Sequence, residues 1–181
     1  MIQIKLIAGL LFLFGSCLLA LSYGGKENLA SVEAGTLSQS APEKESLKQL
    51  SGVSVVVEQV KPNVQHVITS AQAREIVEAR LRTNNVPILS KDEAFTITGA
   101  GHLYLKLKIL KAGSTNAYSY SWQLQLLQRV RLDRDPSIKM LAPTWNRDDM
   151  GFAPGVAASS DLKQGIRDLV DRFCMDYQAN N

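Results

Sequence analysis

Few residues of this chain have the types and spacing that chemistry requires. His66 and His102 are the only two histidines in 181 residues, and their positions do not have the spacing of metal ligands. Asp148 and Asp149 adjoin in "NRDDMG", which is more typical of a solvated turn than of a cation site. The sequence also lacks Gly-x-Ser-x-Gly, His-Glu-x-x-His and Cys-x-x-Cys. We therefore predict no catalytic residue, no metal and no cofactor, and keep an envelope enzyme of unrecognised class as the less favoured alternative.

Two other candidates have simpler structural explanations. The glycines of "GAGH", which ends at His102, come before a predicted strand, whereas a phosphate-binding loop needs the amino terminus of a helix behind it. We interpret this motif as a turn. Cys174 falls in a predicted helix with no histidine or basic cluster beside it, so we expect a small packing residue rather than a reactive thiol.

The amino-terminal segment predicts export. Lys5 is its only charge, and a nearly unbroken apolar run follows from Leu6 to Leu21. A short basic start, an apolar stretch and small residues near the end are typical of a signal peptide. We predict residues 1–22 as a signal peptide cleaved near Ser22, and a periplasmic or secreted location. The alternatives are an uncleaved signal anchor, because the run approaches the length of a membrane span of about 20 residues, and a lipoprotein attached through Cys17.

The segment behind the signal has the composition of a tether. Residues 23–50 are rich in Gly, Ser, Glu and Lys, poor in β-branched and aromatic residues, and show no sustained period. Such a segment buries too little apolar surface to fold alone, so we predict a flexible linker. Residues 51–181 then form a single α/β domain.

Within that domain, five segments have the pattern of strands and two have helical periodicity. The predicted strands are Val53–Val60, Val86–Leu89, His102–Ala112, Tyr118–Asp133 and Ile138–Trp145. A capping box of Thr69 and Gln72 begins the first helix, and Ser159 or Ser160 caps the second. Val53–Val60 is apolar on both faces, which indicates a position inside the sheet. We predict an α+β fold, a mixed and mainly antiparallel sheet of about five strands in the order β-α-β-β-β-β-α, with two amphipathic helices on one face.

The long alternating strand Tyr118–Asp133 allows its register to be predicted. Its even-numbered positions are mostly apolar and its odd-numbered positions mostly polar, so pairing on both edges must keep apolar residues opposite apolar ones. The predicted pairs are Leu107–Trp122, Leu105–Leu124, Leu103–Leu126, Leu132–Ile138, Val130–Met140, Arg131–Lys139 and Gln125–Trp145. The even-numbered face is therefore predicted to be the core, covered by the two helices.

The opposite face of the sheet is the predicted binding surface. It collects aromatic and apolar side chains with a basic rim, which is typical of an interaction site. The candidate binding residues are Tyr104, Leu127, Arg129, Arg131, Leu141 and Trp145. The alternative is that the linker, or the loop after Trp145, covers this face.

The order of elements resembles the small α/β domain of bacterial envelope proteins. Examples are the amino-terminal domain of the Tol translocation protein and the core of curli-secretion and penicillin-binding-protein-activator lipoproteins. The resemblance covers residues 53–177 and depends on "AREIVEARLRTNNVPIL" and "YSWQLQLLQRV". It implies a non-enzymatic interaction domain in the periplasm.

The expected function is therefore binding. The partner would be an envelope protein or a cell-wall component, bound through the helix-free face of the sheet. We expect no nucleic acid, and contact with the membrane only through the amino-terminal segment. The alternatives are the envelope enzyme and a self-assembling structural subunit, in which the free sheet face packs against another copy.

Overall fold

The computed structural model describes residues 40–181. The predicted signal segment and the linker as far as residue 39 lie outside the described residues. The elements, in chain order, are α1 (Ser40–Glu45), β1 (Gly52–Val57), α2 (Ser70–Thr83), α3 (Lys91–Thr96), β2 (Ala100–Lys111), β3 (Ala117–Leu132), β4 (Asp135–Pro154) and α4 (Gly155–Gln178). No helix in residues 40–181 has both the length and the apolar character needed to cross a membrane.

The predicted α+β class with a mixed sheet is confirmed. The sheet has four strands in the order β1-β2-β3-β4, with β1 parallel to β2 and the other pairs antiparallel. The expected fifth strand, Val86–Leu89, makes only an isolated bridge between Ile88 and Val53. Pro87 has no backbone N–H to donate to a ladder, and this limits the pairing of so short a segment.

Strand β1 is the outermost strand of the described sheet, and only Val53 is paired on its outer side, with Ile88, so the predicted interior position is wrong for the rest of the strand. Its Val53 and Val55 face the core, and Ser54 on the other face is buried beside His102. Helix α3 packs against β1 and β2. The strand is apolar on both faces because both faces are covered.

Helices α2 and α4 form the layer over the core face. The predicted capping box at the start of α2 is confirmed: Thr69 Oγ1 accepts from the Gln72 amide at 3.1 Å, and Gln72 Oε1 accepts from the Thr69 amide at 3.0 Å. The two helices are joined by a bidentate ion pair in which Arg80 donates to both carboxylate oxygens of Asp171 at 2.7 Å. Such an ion pair fixes the relative orientation of the two helices.

Helix α4 begins at Gly155, immediately after β4, and not at the predicted Ser159 or Ser160 cap. The Gly155 amide donates to the Asn116 carbonyl at 2.6 Å, so the turn between β2 and β3 satisfies one free amide of this helix end. Further along, Gly165 lies against the Trp122 ring, where any Cβ would overlap the indole. The helix can therefore approach the sheet closely.

The last residues of the predicted linker belong to the folded unit. Leu47 and Leu50 are buried in the core. Ser46 Oγ donates to the Thr144 carbonyl of β4 at 3.2 Å. The packed structure therefore includes residues before the predicted boundary at residue 51.

Candidate binding site on the sheet

The pairing of β2 with β3 agrees with the predicted register. Leu103, Leu105 and Leu107 lie opposite Leu126, Leu124 and Trp122, and all six face the helices. The alternating residues, which include Tyr104, therefore lie on the other face. We call this second face, which looks away from α2 and α4, the open face.

The pairing of β3 with β4 contains an irregularity that changes the candidate site. Val130 pairs with Met140 as predicted, but next to the hairpin turn Leu132 lies opposite Asp135 and not opposite the predicted Ile138. Further along, Leu127 lies opposite Pro143, and Leu126, not Gln125, lies opposite Trp145. Thr144 is the extra residue of a β-bulge. Because successive side chains alternate between faces, one extra residue transfers everything after it to the opposite face. The bulge therefore places Trp145 on the core face.

Trp145 is fully buried, with 0% of its surface exposed, so its predicted role as an exposed binding residue is wrong. Its indole Nε1 donates to Asp176 Oδ2 at 3.0 Å, and its ring meets Phe173 edge-on at a centroid distance of 5.1 Å. The Arg147 guanidinium lies 5.1 Å from the indole ring on the side towards solvent. Trp145 is thus a core residue that joins β4 to α4.

The other five candidate residues lie together on the open face. Leu127 lies between His102 of β2 and Pro143 of β4, Arg129 pairs with Leu141, and Arg131 pairs with Lys139. Tyr104 and Leu127 are half-buried, whereas Arg129, Arg131 and Leu141 are exposed. Burial raises the pKa of Tyr104, and the nearby carboxylate of Glu58 adds to this effect.

Helix α3 covers one end of the open face, although the predicted order of elements has no helix between Val86–Leu89 and His102–Ala112. The ring of Phe95 packs on His102 at a centroid distance of 4.5 Å, and Arg129 Nη2 donates to the Phe95 carbonyl at 2.6 Å. The sequence contained a signal for this helix that was missed. "SKDE" is a capping box, in which Ser90 and Glu93 satisfy each other's backbone amides.

Helix α3 and the β3–β4 hairpin enclose a cavity of about 310 Å³. Its lining combines the 94–100 segment with the basic end of the hairpin, and within the described part of the chain it carries no acidic side chain. Arg131 and Lys139 have no carboxylate partner among the described residues, and Arg129 bonds only to a backbone carbonyl there. We call this space the α3 cavity; it is lined by Phe95, Ile97, His102, Arg129, Arg131, Lys139 and Leu141, together with neighbouring backbone.

His102 forms the inner wall of the α3 cavity. The residue is buried, and its Nδ1 is hydrogen-bonded to Ser54 Oγ at 2.6 Å. Burial lowers the pKa of His102, and the positive charges of Lys91 and Arg129 lower it further. The imidazole is therefore neutral at pH 7, so the positive charge of the cavity comes from its arginine and lysine residues.

The remaining residues that chemistry could use are kept apart. Asp148 and Asp149 are consecutive residues of β4 and pair with Gln123 and Trp122 of β3. Their side chains therefore point to opposite faces of the sheet. His66 Nε2 is hydrogen-bonded to the Tyr118 hydroxyl at 2.7 Å. In residues 40–181, no three His, Cys, Asp or Glu side chains are grouped as metal ligands would be.

A second group of exposed residues on the open face was missed because β4 was predicted to end at Trp145. The strand continues to Pro154, and it places Met150 and Phe152 on the open face, 80% and 67% exposed. Leu110 of β2 is exposed on the same face.

No protein-family model and no curated protein matches this chain.

Proposed function

We propose that this protein is an exported interaction domain of the bacterial cell envelope, which binds a protein partner through the open face of its sheet. The observation that carries this proposal is the α3 cavity, where three cationic side chains that have no carboxylate partner within residues 40–181 line the same space as exposed apolar residues. Three features of the sequence support the envelope location: the apolar amino-terminal run, the linker composition, and the resemblance to small envelope domains.

The end of the open face beside α3 has the composition of an interface rather than of an ordinary solvated surface. Its half-buried centre contains Tyr104 and Leu127, and its exposed end contains Leu141 with Arg129 and Arg131. Aromatic residues and arginine are enriched at the centres of protein interfaces, and an uncompensated group of cations favours an acidic partner. A catalytic role has less support, because the polar groups are an arginine and lysine set around a neutral, hydrogen-bonded histidine.

The binding surface can be tested with a photo-crosslinking amino acid placed at single positions. Leu141 is 43% exposed at the edge of the α3 cavity, and Asp168 is exposed on α4, on the opposite side of the sheet. We expect a discrete crosslinked product in envelope fractions from position 141 and none from position 168. The product should disappear when Arg131→Glu is added. Equal products from both positions would contradict the proposal.

Export is tested separately by mass spectrometry of the protein recovered from envelope fractions. We expect a mature chain that begins near Ser22, because small residues there follow the apolar run. An envelope-bound chain of full length would show that the segment is an anchor. A soluble cytoplasmic product that retains Met1 would contradict export.

A structural subunit that assembles with itself is the second candidate, and the exposed end of β4 favours it. An antiparallel pairing of β4 with a second copy, centred on Gly151, would place Met150 of each chain opposite Phe152 of the other. It would also pair the free edge of the described sheet, which is otherwise open to other strands. Sedimentation would then show a dimer that Phe152→Asp converts to a monomer; a wild-type monomer excludes this candidate.

A further inference from the structure

We propose that the α3 cavity binds a carboxylate side chain of the partner together with the apolar residue next to it, so that the ligand is a short acidic peptide segment. This inference rests on the proposed function, because it specifies which part of a protein partner the open face recognises.

The charge distribution of the cavity favours an anionic ligand. Arg129, Arg131 and Lys139 line it, and no acidic side chain of the described residues does. Five other arginines of the described residues do pair with carboxylates, among them Arg80 with Asp171 and Arg147 with Glu43. Like charges held close together without a counterion repel one another, and a bound carboxylate would relieve this repulsion.

The apolar part of the cavity requires that the ligand carry more than a charge. Phe95, Ile97 and Leu141 surround the opening and are 41%, 41% and 43% exposed. Covering these side chains removes apolar surface from water, which a free inorganic anion cannot do. An acidic residue flanked by an apolar one would satisfy both parts of the cavity.

The size and rigidity of the cavity also fit a side chain or two. Its volume of about 310 Å³ is at the lower end of the range of ligand pockets. Two parts of its wall are held by hydrogen bonds: Ser54 Oγ bonds to the His102 ring, and Arg129 donates to the Phe95 carbonyl at the end of α3. A preformed site loses little conformational freedom on binding.

The experiment uses the full chain in a zwitterionic detergent, with backbone amide shifts recorded by nuclear magnetic resonance. The probes are a capped pentapeptide of alternating leucine and glutamate, the same peptide with glutamine in place of glutamate, and inorganic phosphate. We expect the glutamate peptide to shift the amides of Phe95, Gly99 and His102 in a saturable way. It should bind about tenfold more tightly than the glutamine peptide, because each of two ion pairs raises the affinity roughly threefold. The difference should shrink at high salt.

Matched variants then locate the bound carboxylate. Arg131→Gln and Lys139→Gln should each weaken binding of the glutamate peptide by about threefold. Lys108→Gln, on the same face but outside the cavity lining, should leave it unchanged. The proposal is overturned if the glutamine peptide binds equally well, if phosphate binds more tightly than the peptide, or if Lys108→Gln has the same effect as the cavity variants.

The outcomes separate this inference from the proposed function. If position 141 crosslinks to a partner but the peptides do not bind, the open face is an interface that does not recognise an acidic segment. If the peptide binds in the cavity and no crosslinked partner exists, the anionic site stands and the envelope-partner proposal fails.

Discussion

Replacing Trp145 with alanine should lower the free energy of unfolding strongly without acting on binding directly. The indole is fully buried, packs edge-on against Phe173 and donates to Asp176. Truncating a buried tryptophan costs about 3–5 kcal/mol, because apolar burial is lost and a cavity remains. Asp176 keeps its ion pair with Lys44 at 3.0 Å, so its carboxylate is not left without a partner. We therefore expect a loss within that range and not above it.

The assay is chemical denaturation followed by circular dichroism, with two control variants. Trp145→Phe keeps an aromatic ring but loses the hydrogen bond and part of the volume, so its loss should be intermediate. Leu141 is exposed and stands three positions before the bulge residue Thr144, so Leu141→Ala should change the free energy of unfolding by only about half a kcal/mol. A loss of less than about 1 kcal/mol for Trp145→Ala would refute the bulge and return this residue to the open face.

Three further predictions test the core, the α3 cavity and the thiol. Leu124→Ala should cost about 2–5 kcal/mol and Gln123→Ala within about half a kcal/mol in the same denaturation assay; equal losses would contradict the assigned alternation. Because the pKa of folded His102 lies below its ordinary 6.5, the unfolded chain takes up the proton first. Stability present above pH 6.5 should therefore fall as the pH drops below that value, and less so in His102→Gln. Burial raises the pKa of Cys174 from 9.0 to about 12, which leaves roughly a thousandfold less thiolate. In a Cys17→Ser chain, alkylation of Cys174 at pH 8 should therefore require unfolding. Rapid alkylation of the folded protein would contradict this prediction.

The candidate site could be predicted from the sequence wherever apolar and polar residues alternate along a strand without a bulge. The β2–β3 register follows from apolar residues facing apolar residues across a short turn, and it correctly placed Tyr104 and Leu127 on the open face. Arg129 and Arg131 follow from the same count along β3, and Leu141 from its pairing with Arg129. Trp145 could not be predicted in this way, because a single extra residue in β4 reverses the face of all that follow.

The cavity required information from distant parts of the chain. Phe95 and Arg129 are separated by many residues, and only the packing of α3 on the open face brings them together. The "SKDE" capping box indicates that a helix begins at Lys91, but it does not indicate on which face of the sheet that helix lies. The choice depends on the burial of His102 beneath the Phe95 ring, which is a tertiary contact.

The sequence by itself determined the elements whose signals are local: the α2 capping box, the two amphipathic helices, and the long strand with its first partner. Each depends on side chains within a few residues of one another, or across a tight turn. Tertiary structure decided the sheet edges, the bulge at Thr144 and the uninterrupted passage of β4 into α4. The bulge is stable because it lets Trp145 pack against Phe173 and donate a hydrogen bond to Asp176, both on α4. These contacts form only when the chain is folded, so no local stretch of sequence reveals them.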